Sequence, residues 1–243
     1  MSNDKLTISL NEVLFFFTRA GFGVNAPVGV AEDFARSNIW IAENGFDPCL
    51  CSLNALESID KKISSLDVQY KETKKGISFY SSKDVYLSSL VASVAAIDRI
   101  NLDIQDKELV IENVDYPILV VAAMGANKCI GLQVTWQDEI KNEHLVKFTS
   151  LDTWELVSSN LEHVELSKGA SMTIQPISSE TKQTSRVSTK KYIISKEKNK
   201  ILQSGVDVGE NWQGVYSFFS RCLVKSTVES RASGAGAGLV DTD

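Results

Sequence analysis

Histidine is scarce in this chain of 243 residues: there are two, His144 and His163. Neither belongs to a His-x-x-x-His or Glu-x-x-His pattern, so no local histidine metal motif exists. No Gly-x-Ser-x-Gly elbow is present, which removes the turn that exposes a hydrolase serine. A Ser-His-Asp group assembled from distant residues stays open. Both histidines lie in polar segments and are expected at the surface or a sheet edge. Cysteine is sparse too, as Cys49, Cys51, Cys129 and Cys222, which is not the density of a disulfide scaffold. Cys49-Leu50-Cys51 resembles half of a metal site, but structural zinc usually takes two pairs at wider spacing. Buried free thiols are expected there, and no metal site is assigned.

Long apolar runs are also missing. None approaches the ~20 residues of a membrane span. Met1 to Lys5 is polar, and Val13 to Phe17 is too short for a signal-peptide core. No membrane partner is expected, and the chain reads as cytoplasmic. An excess of basic charge is absent as well. The net charge of −6 lacks the footprint that nucleic acid requires, so no nucleic-acid partner is expected. The lysines from Lys190 to Lys200 read as the solvated side of a hairpin or helix. No dinucleotide fingerprint is found either. Gly21-Phe22-Gly23 lacks a preceding strand. Gly234 to Gly238 is expected to have no helix after it to present amides to a phosphate. No cofactor is assigned.

What is present is enough for a sizeable core, since 43% of the residues are hydrophobic. Ser9-Leu10-Asn11-Glu12 forms a capping box. Val13, Phe16 and Phe17 follow as one stripe, ending at Gly21 to Gly23. A second helix begins near Pro27, carries Val30, Phe34, Trp40 and Ile41, and stops at Gly45. A third is expected over 53–66, and a mostly buried fourth over 82–99. Lys71 to Gly76 reads as a charged link. After Asn101 the period shifts toward two. Ile118 to Met124 suits a central strand. Strands are also expected at 130–136, 145–148, 161–166 and 171–177, and 187–194 reads as a strand or a helix. Their short connections favour antiparallel pairing. A late helix carries Trp212, Val215, Tyr216, Phe219, Cys222 and Leu223.

The expected fold is a single α+β domain over 1–243. N-terminal helices, to about residue 100, pack on a mainly antiparallel sheet spanning about 101–224. A late amphipathic helix and a glycine-rich C-terminal tail (230–243) complete it.

Two groups of residues are candidates for ligand binding. Arg19 and Glu32 flank the first helix–helix turn and could form a clamp for an anion or an amine. Glu229, Ser230 and Arg231 precede Gly234, Gly236 and Gly238, whose missing side chains let main-chain amides approach a ligand or a neighbouring subunit. Leu239 and Val240 would anchor that segment, and Asp241 and Asp243 could hold a basic group.

Several of these segments resemble a family of uncharacterised proteobacterial proteins of about this length. Ser9-Leu10-Asn11-Glu12, Arg19 to Gly23, Gly29-Val30-Ala31-Glu32, Trp40 and Gly45 resemble its N-terminal part. Tyr116-Pro117-Ile118-Leu119 with Trp136 resembles its centre. Glu229-Ser230-Arg231 through Gly238-Leu239 to Asp241-Thr242-Asp243 resembles its C-terminal signature. The resemblance implies one full-length unit and a meaningful tail, but supplies no reaction. Cys222 to Thr227 departs from that family's Tyr-Val-Pro-Ala-Thr-Glu. The paired-helix start also resembles malate/lactate dehydrogenase-like reductases. Those carry Ser-His-Gly after the second helix, where this chain has Gly45-Phe46-Asp47-Pro48 and no histidine.

The functional expectation is a metabolic protein that binds or converts a small polar molecule in a cleft closed by the tail. The alternative is a non-catalytic assembly protein whose tail docks on a neighbouring subunit in a homo-oligomer.

Overall fold

A computed structural model describes residues 6–102, 108–177 and 188–223. The tail candidates Glu229, Ser230, Arg231, Gly234, Gly236 and Gly238 lie outside the described residues.

Strand β1 (Thr7–Ile8) leads into helix α1 (Leu10–Gly23). The capping box forms as its sequence requires: Ser9 N–H donates to Glu12 Oε2 at 2.7 Å, and Glu12 N–H donates to Ser9 Oγ at 3.2 Å. Helix α2 (Val28–Glu43) turns back along α1. The two helices close tightly because Gly21 meets Ala31; a Cβ on Gly21 would stand 2.8 Å from the Ala31 methyl. Helix α3 (Pro48–Asp60) begins earlier than the hydrophobic spacing predicts. Asp47 caps it through Cys49 N–H, at 2.8 Å, and Pro48 fits its first turn. It ends at Asp60, so Ile63 lies beyond it and is exposed.

Strands β2 (Ser64–Ser65), β3 (Val68–Glu72), β4 (Gly76–Ser81) and β5 (Tyr86–Leu87) follow. The stretch expected as a charged link is therefore the tip of the β3–β4 hairpin. Helix α4 (Ser89–Asn101) starts only where Ser88 Oγ caps it through Leu90 N–H, so Tyr86 belongs to a strand. Strand β6 (Glu108–Val114) precedes helix α5 (Pro117–Ala126).

Helix α5 corrects the central strand expected at 118–124. Pro117 occupies a first helical turn, and eight consecutive residues from Pro117 to Met124 are buried. A helix buried all round shows no amphipathic period, so its apolar run imitates a strand.

The remainder is β7 (Leu132–Gln137), β8 (Glu143–Phe148), β9 (Thr153–Ser158), a 3-10 helix (Leu161–Leu166), β10 (Ala170–Pro176), β11 (Ser188–Ile193), α6 (Ile194–Ser204), β12 (Val206–Asp207) and α7 (Trp212–Ser220). The 3-10 helix corrects the strand expected at 161–166. Val164 at its centre is deeply buried while Leu166 is exposed, so the segment works as a corner.

The large sheet runs β11-β9-β8-β7-β10-β6-β4-β3, with β5 beside β6 and β2 beside β5. Pairing is antiparallel from β11 to β6 and between β3 and β4. Only β4–β6, β5–β6 and β2–β5 are parallel. The β4-to-β6 crossover contains α4, long enough to permit parallel pairing. Strand β1 pairs separately with β12. The fold is α+β, with helices against a mainly antiparallel sheet. No helix among the described residues is long and apolar enough to cross a membrane.

Candidate functional site

Arg19 and Glu32 sit on neighbouring helices, but each is engaged within its own. The Arg19 guanidinium lies 3.7 Å from the centre of the Phe15 ring and reaches Phe15 O at 3.4 Å. Glu32 stands 4.0 Å from Arg36, which binds Asp33 at 2.6 Å. Arg19 and Glu32 share no hydrogen bond or ion pair, and an exposed i,i+4 pair is weak evidence for a site. The Arg19 corner does receive the end of α7, where Cys222 Sγ donates to Arg19 O at 3.2 Å. Arg221 there binds Asp60 through two bonds of 2.6 and 3.1 Å.

The two histidines are brought together around one carboxylate; His144 is buried, contrary to the surface or edge position expected of it, while His163 stays partly exposed. Asp138 Oδ2 lies 3.3 Å from His144 Nε2 and 3.3 Å from His163 Nδ1. The His163 contact is an approach in distance only, since its Nδ1 lacks hydrogen-bond alignment. Asn142 donates to Asp138 through its amide and its backbone N–H, at 2.9 and 2.8 Å. Burial raises the Asp138 carboxyl, but these donors and His144 outweigh it, and the carboxyl stays below its ordinary value. Burial also holds His144 below its ordinary value, with Asp138 opposing the shift. Ser158 Oγ contacts His144 Nδ1 at 2.9 Å, which completes a Ser-His-Asp chain. Ser158 is 0% exposed, and Trp136 stacks on His144 at 4.8 Å. A nucleophile sealed in this way cannot meet a substrate. The chain of bonds is therefore a structural strut joining β8 and β9 to the turn after β7.

The 3-10 helix carries a second titratable group, Glu165, toward the start of α3. Burial raises the Glu165 carboxyl most, and the charge of Asp47 raises it further; the Asp47 backbone N–H and Lys190 oppose them. Asp47 itself is raised by burial, despite its capping bonds to α3, and Asp207 adds to the shift. Two adjacent carboxyls are thus held above their ordinary values by lost water and like charge. Tyr192, buried on β11, is raised chiefly by burial while Lys190 opposes. A hollow of about 250 Å³ opens beside Asp47, with Asp207, Gly45, Phe46, Ile201 and Val206 in its wall. Gly209 makes room for Asp47: a Cβ there would stand 3.0 Å from Asp47 Oδ2.

The cysteines nearby are not reactive. Cys49 and Cys51 are buried, and burial pushes both thiols well above their ordinary range, with Asp47 adding to it. Cys129 is pushed up to about 11 by burial. Cys222, by contrast, is exposed. Among the described residues, no group of three or more His, Cys, Asp or Glu could hold a metal ion.

The sequence marks Asp47 only as a helix cap, through Asp47-Pro48. It gives no sign of Glu165, which lies 118 residues away and inside a segment that reads as a strand.

No protein-family model matches the sequence, and no curated protein matches it significantly. Solved structures do match its fold. A dehydrogenase from Sinorhizobium meliloti aligns over 88% of this chain and 99% of its own, with a TM-score of 0.57 and 7% identity. An E. coli protein described as a candidate malate/lactate dehydrogenase aligns over 94% of this chain and 99% of its own, with a TM-score of 0.52 and 6% identity. This chain is similar to those dehydrogenases in fold, and at such identities the likeness extends no further.

Proposed function

We propose that this protein binds a small polar metabolite at the Asp47 hollow and uses Asp47 and Glu165 as a proton-holding pair. The observation that carries this reading is the pair itself. Two interacting carboxyls are both raised: Asp47 lines an open hollow, and Glu165 accepts from the Asp47 backbone N–H within the field of Lys190. Acids whose titration is shifted by burial and a like charge beside a cleft are candidates for a working site. The protonated member donates to an acceptor on the ligand, and the ionised member accepts from a ligand hydroxyl or ammonium.

Charge selects the ligand class. Asp47 and Asp207 both face the hollow, so a doubly anionic acid such as malate is repelled. Neutral polyols and small amines fit better. The fold likeness to dehydrogenases supports metabolic small-molecule work, while the Asp47 loop supports a different substrate from theirs.

The C-terminal segment enters the proposal as a cover for the site, through Glu229, Ser230, Arg231 and the glycines Gly234, Gly236 and Gly238. Its root at Cys222 lies beside Arg19. The twenty residues from 224 onward reach roughly 66 Å when extended. Helix α7, with nine residues, is only about 14 Å long. The segment is therefore long enough to return past α7 to Asp47.

Thermal-shift measurements against small amines, polyols and hydroxy acids test the reading. Stabilisation by an amine or a polyol, lost in Asp47→Asn, is the expected result. Stabilisation only by dianionic acids, unchanged in Asp47→Asn, would overturn it.

A further inference from the structure

A second hollow of about 400 Å³ lies between α2, the end of α5 and the start of α6, sharing no lining residue with the first. Its walls are apolar, from Ile39, Ala126, Leu151 and Ile194, and Trp40 and Gly125 also line it. Trp40 is 3% exposed, yet its Nε1–H finds no acceptor among the described residues. Buried donors are seldom left in this state. Gly125 makes room for the indole: a Cβ there would overlap the ring, 2.4 Å from Nε1. A recess of about 10 Å³ lies under the hollow. Trp40, Gly125, Lys128, Leu151 and Ile194 line both spaces, so the recess is the hollow's inner end.

The charges at the rim point to the ligand. Glu43 is held by Lys198 at 2.6 Å, and Asp152 accepts from Ser195 N–H and Oγ at 2.7 Å each. Arg36 is held by Asp33. Lys128 is left as the cation without an ion-pair partner among the described residues. From the orphaned donor, the apolar walls and this lysine, we propose that the hollow binds a small monocarboxylate with an apolar body. A carboxylate oxygen accepts from Trp40 Nε1–H, and Lys128 balances the charge. The inference is independent of the Asp47 site.

The competing explanation is one trapped water, for which the recess is just large enough. Nitrogen-15 spectra of the full chain distinguish the two. The protein has four tryptophans, hence four indole N–H signals, and Trp40→Phe identifies the one that belongs to Trp40. Sodium benzoate and neutral benzamide are the probes. The expected result is saturable movement of the Trp40 signal alone, with benzoate the tighter probe. Lys128→Ala should weaken benzoate by roughly twofold to fivefold, the scale of an exposed ion pair, and leave benzamide unchanged. No movement with either probe, or equal movement of all four signals, overturns the proposal. If Trp40→Phe does not fold, Lys128→Ala decides alone, and unchanged benzoate affinity overturns it.

Discussion

Asp47 caps helix α3 and, from the same position, raises the carboxyl of Glu165 on the 3-10 helix. A cap is ordinarily placed in water, where its charge is cheap. This one is half-buried, faces a second carboxyl, and opens on a hollow.

The sign of the pH dependence follows from the direction of the shifts. Both groups hold their protons more tightly when folded than the ordinary values of 3.8 and 4.5. Their contribution to stability is complete below those values and is lost as pH rises through the folded ones. Asp47→Asn with Glu165→Gln removes that loss, and asparagine still caps a helix well. Urea unfolding at several pH values should show the double variant gaining on the wild type as pH rises above about 4 to 5. A constant difference across that range would contradict the pairing.

His144 gives the opposite slope. Its ring titrates below the ordinary 6.5, so the unfolded chain takes the proton first as pH falls. Stability should therefore decline as pH drops through about 6.5. His144→Gln should flatten that decline. Asp138→Ala leaves His144 and Asn142 without their acceptor. It should cost about 1 to 3 kcal/mol, the scale for leaving buried hydrogen-bonding groups unsatisfied, measured by denaturant midpoint.

Helix α7 is fitted to α1 through a glycine. A Cβ on Gly23 would stand 2.1 Å from Phe218 O, and backbone cannot step aside as a side chain does. Gly23→Ala should destabilise the protein by about 1 to 3 kcal/mol, as overpacking does, and calorimetry would measure it. The same contact fixes where the chain leaves α7, so this variant should also alter any role of the C-terminal segment.

Removing residues 234–243 separates the two uses considered for that segment. As a cover for the Asp47 hollow, its loss weakens ligand binding and leaves the molar mass per particle unchanged in light scattering. A fall in particle mass with ligand binding intact would instead place the segment on a neighbouring subunit.

The local chemistry of the ends of α1 and α2 was legible, whereas the Asp47 and Ser88 caps that start α3 and α4 were missed. Ser9 and Glu12 form the capping box their spacing demands, and Pro27 and Gly45 bound α2 as expected. Elements without a polar face were not legible. Helix α5 is apolar on every side, so Pro117 was the one residue that marked it. The β3–β4 hairpin escaped for the opposite reason: Lys71 and Glu72 on an exposed edge strand read as a link. The site was the least legible part. Asp47 and Glu165 meet only because the 3-10 helix turns a corner after β9, and His144 and His163 meet across Asp138 for the same reason. Arg19 and Glu32, paired by the sequence, each stay on their own helix.

The most direct test is a carbon-13 NMR titration of the Glu165 carboxyl in the wild type and in Asp47→Asn. The account predicts titration above 4.5 in the wild type and a clear move downward in the variant, where the neighbouring charge is gone. A Glu165 that titrates at or below 4.5, or is indifferent to Asp47→Asn, would contradict the proton-holding pair.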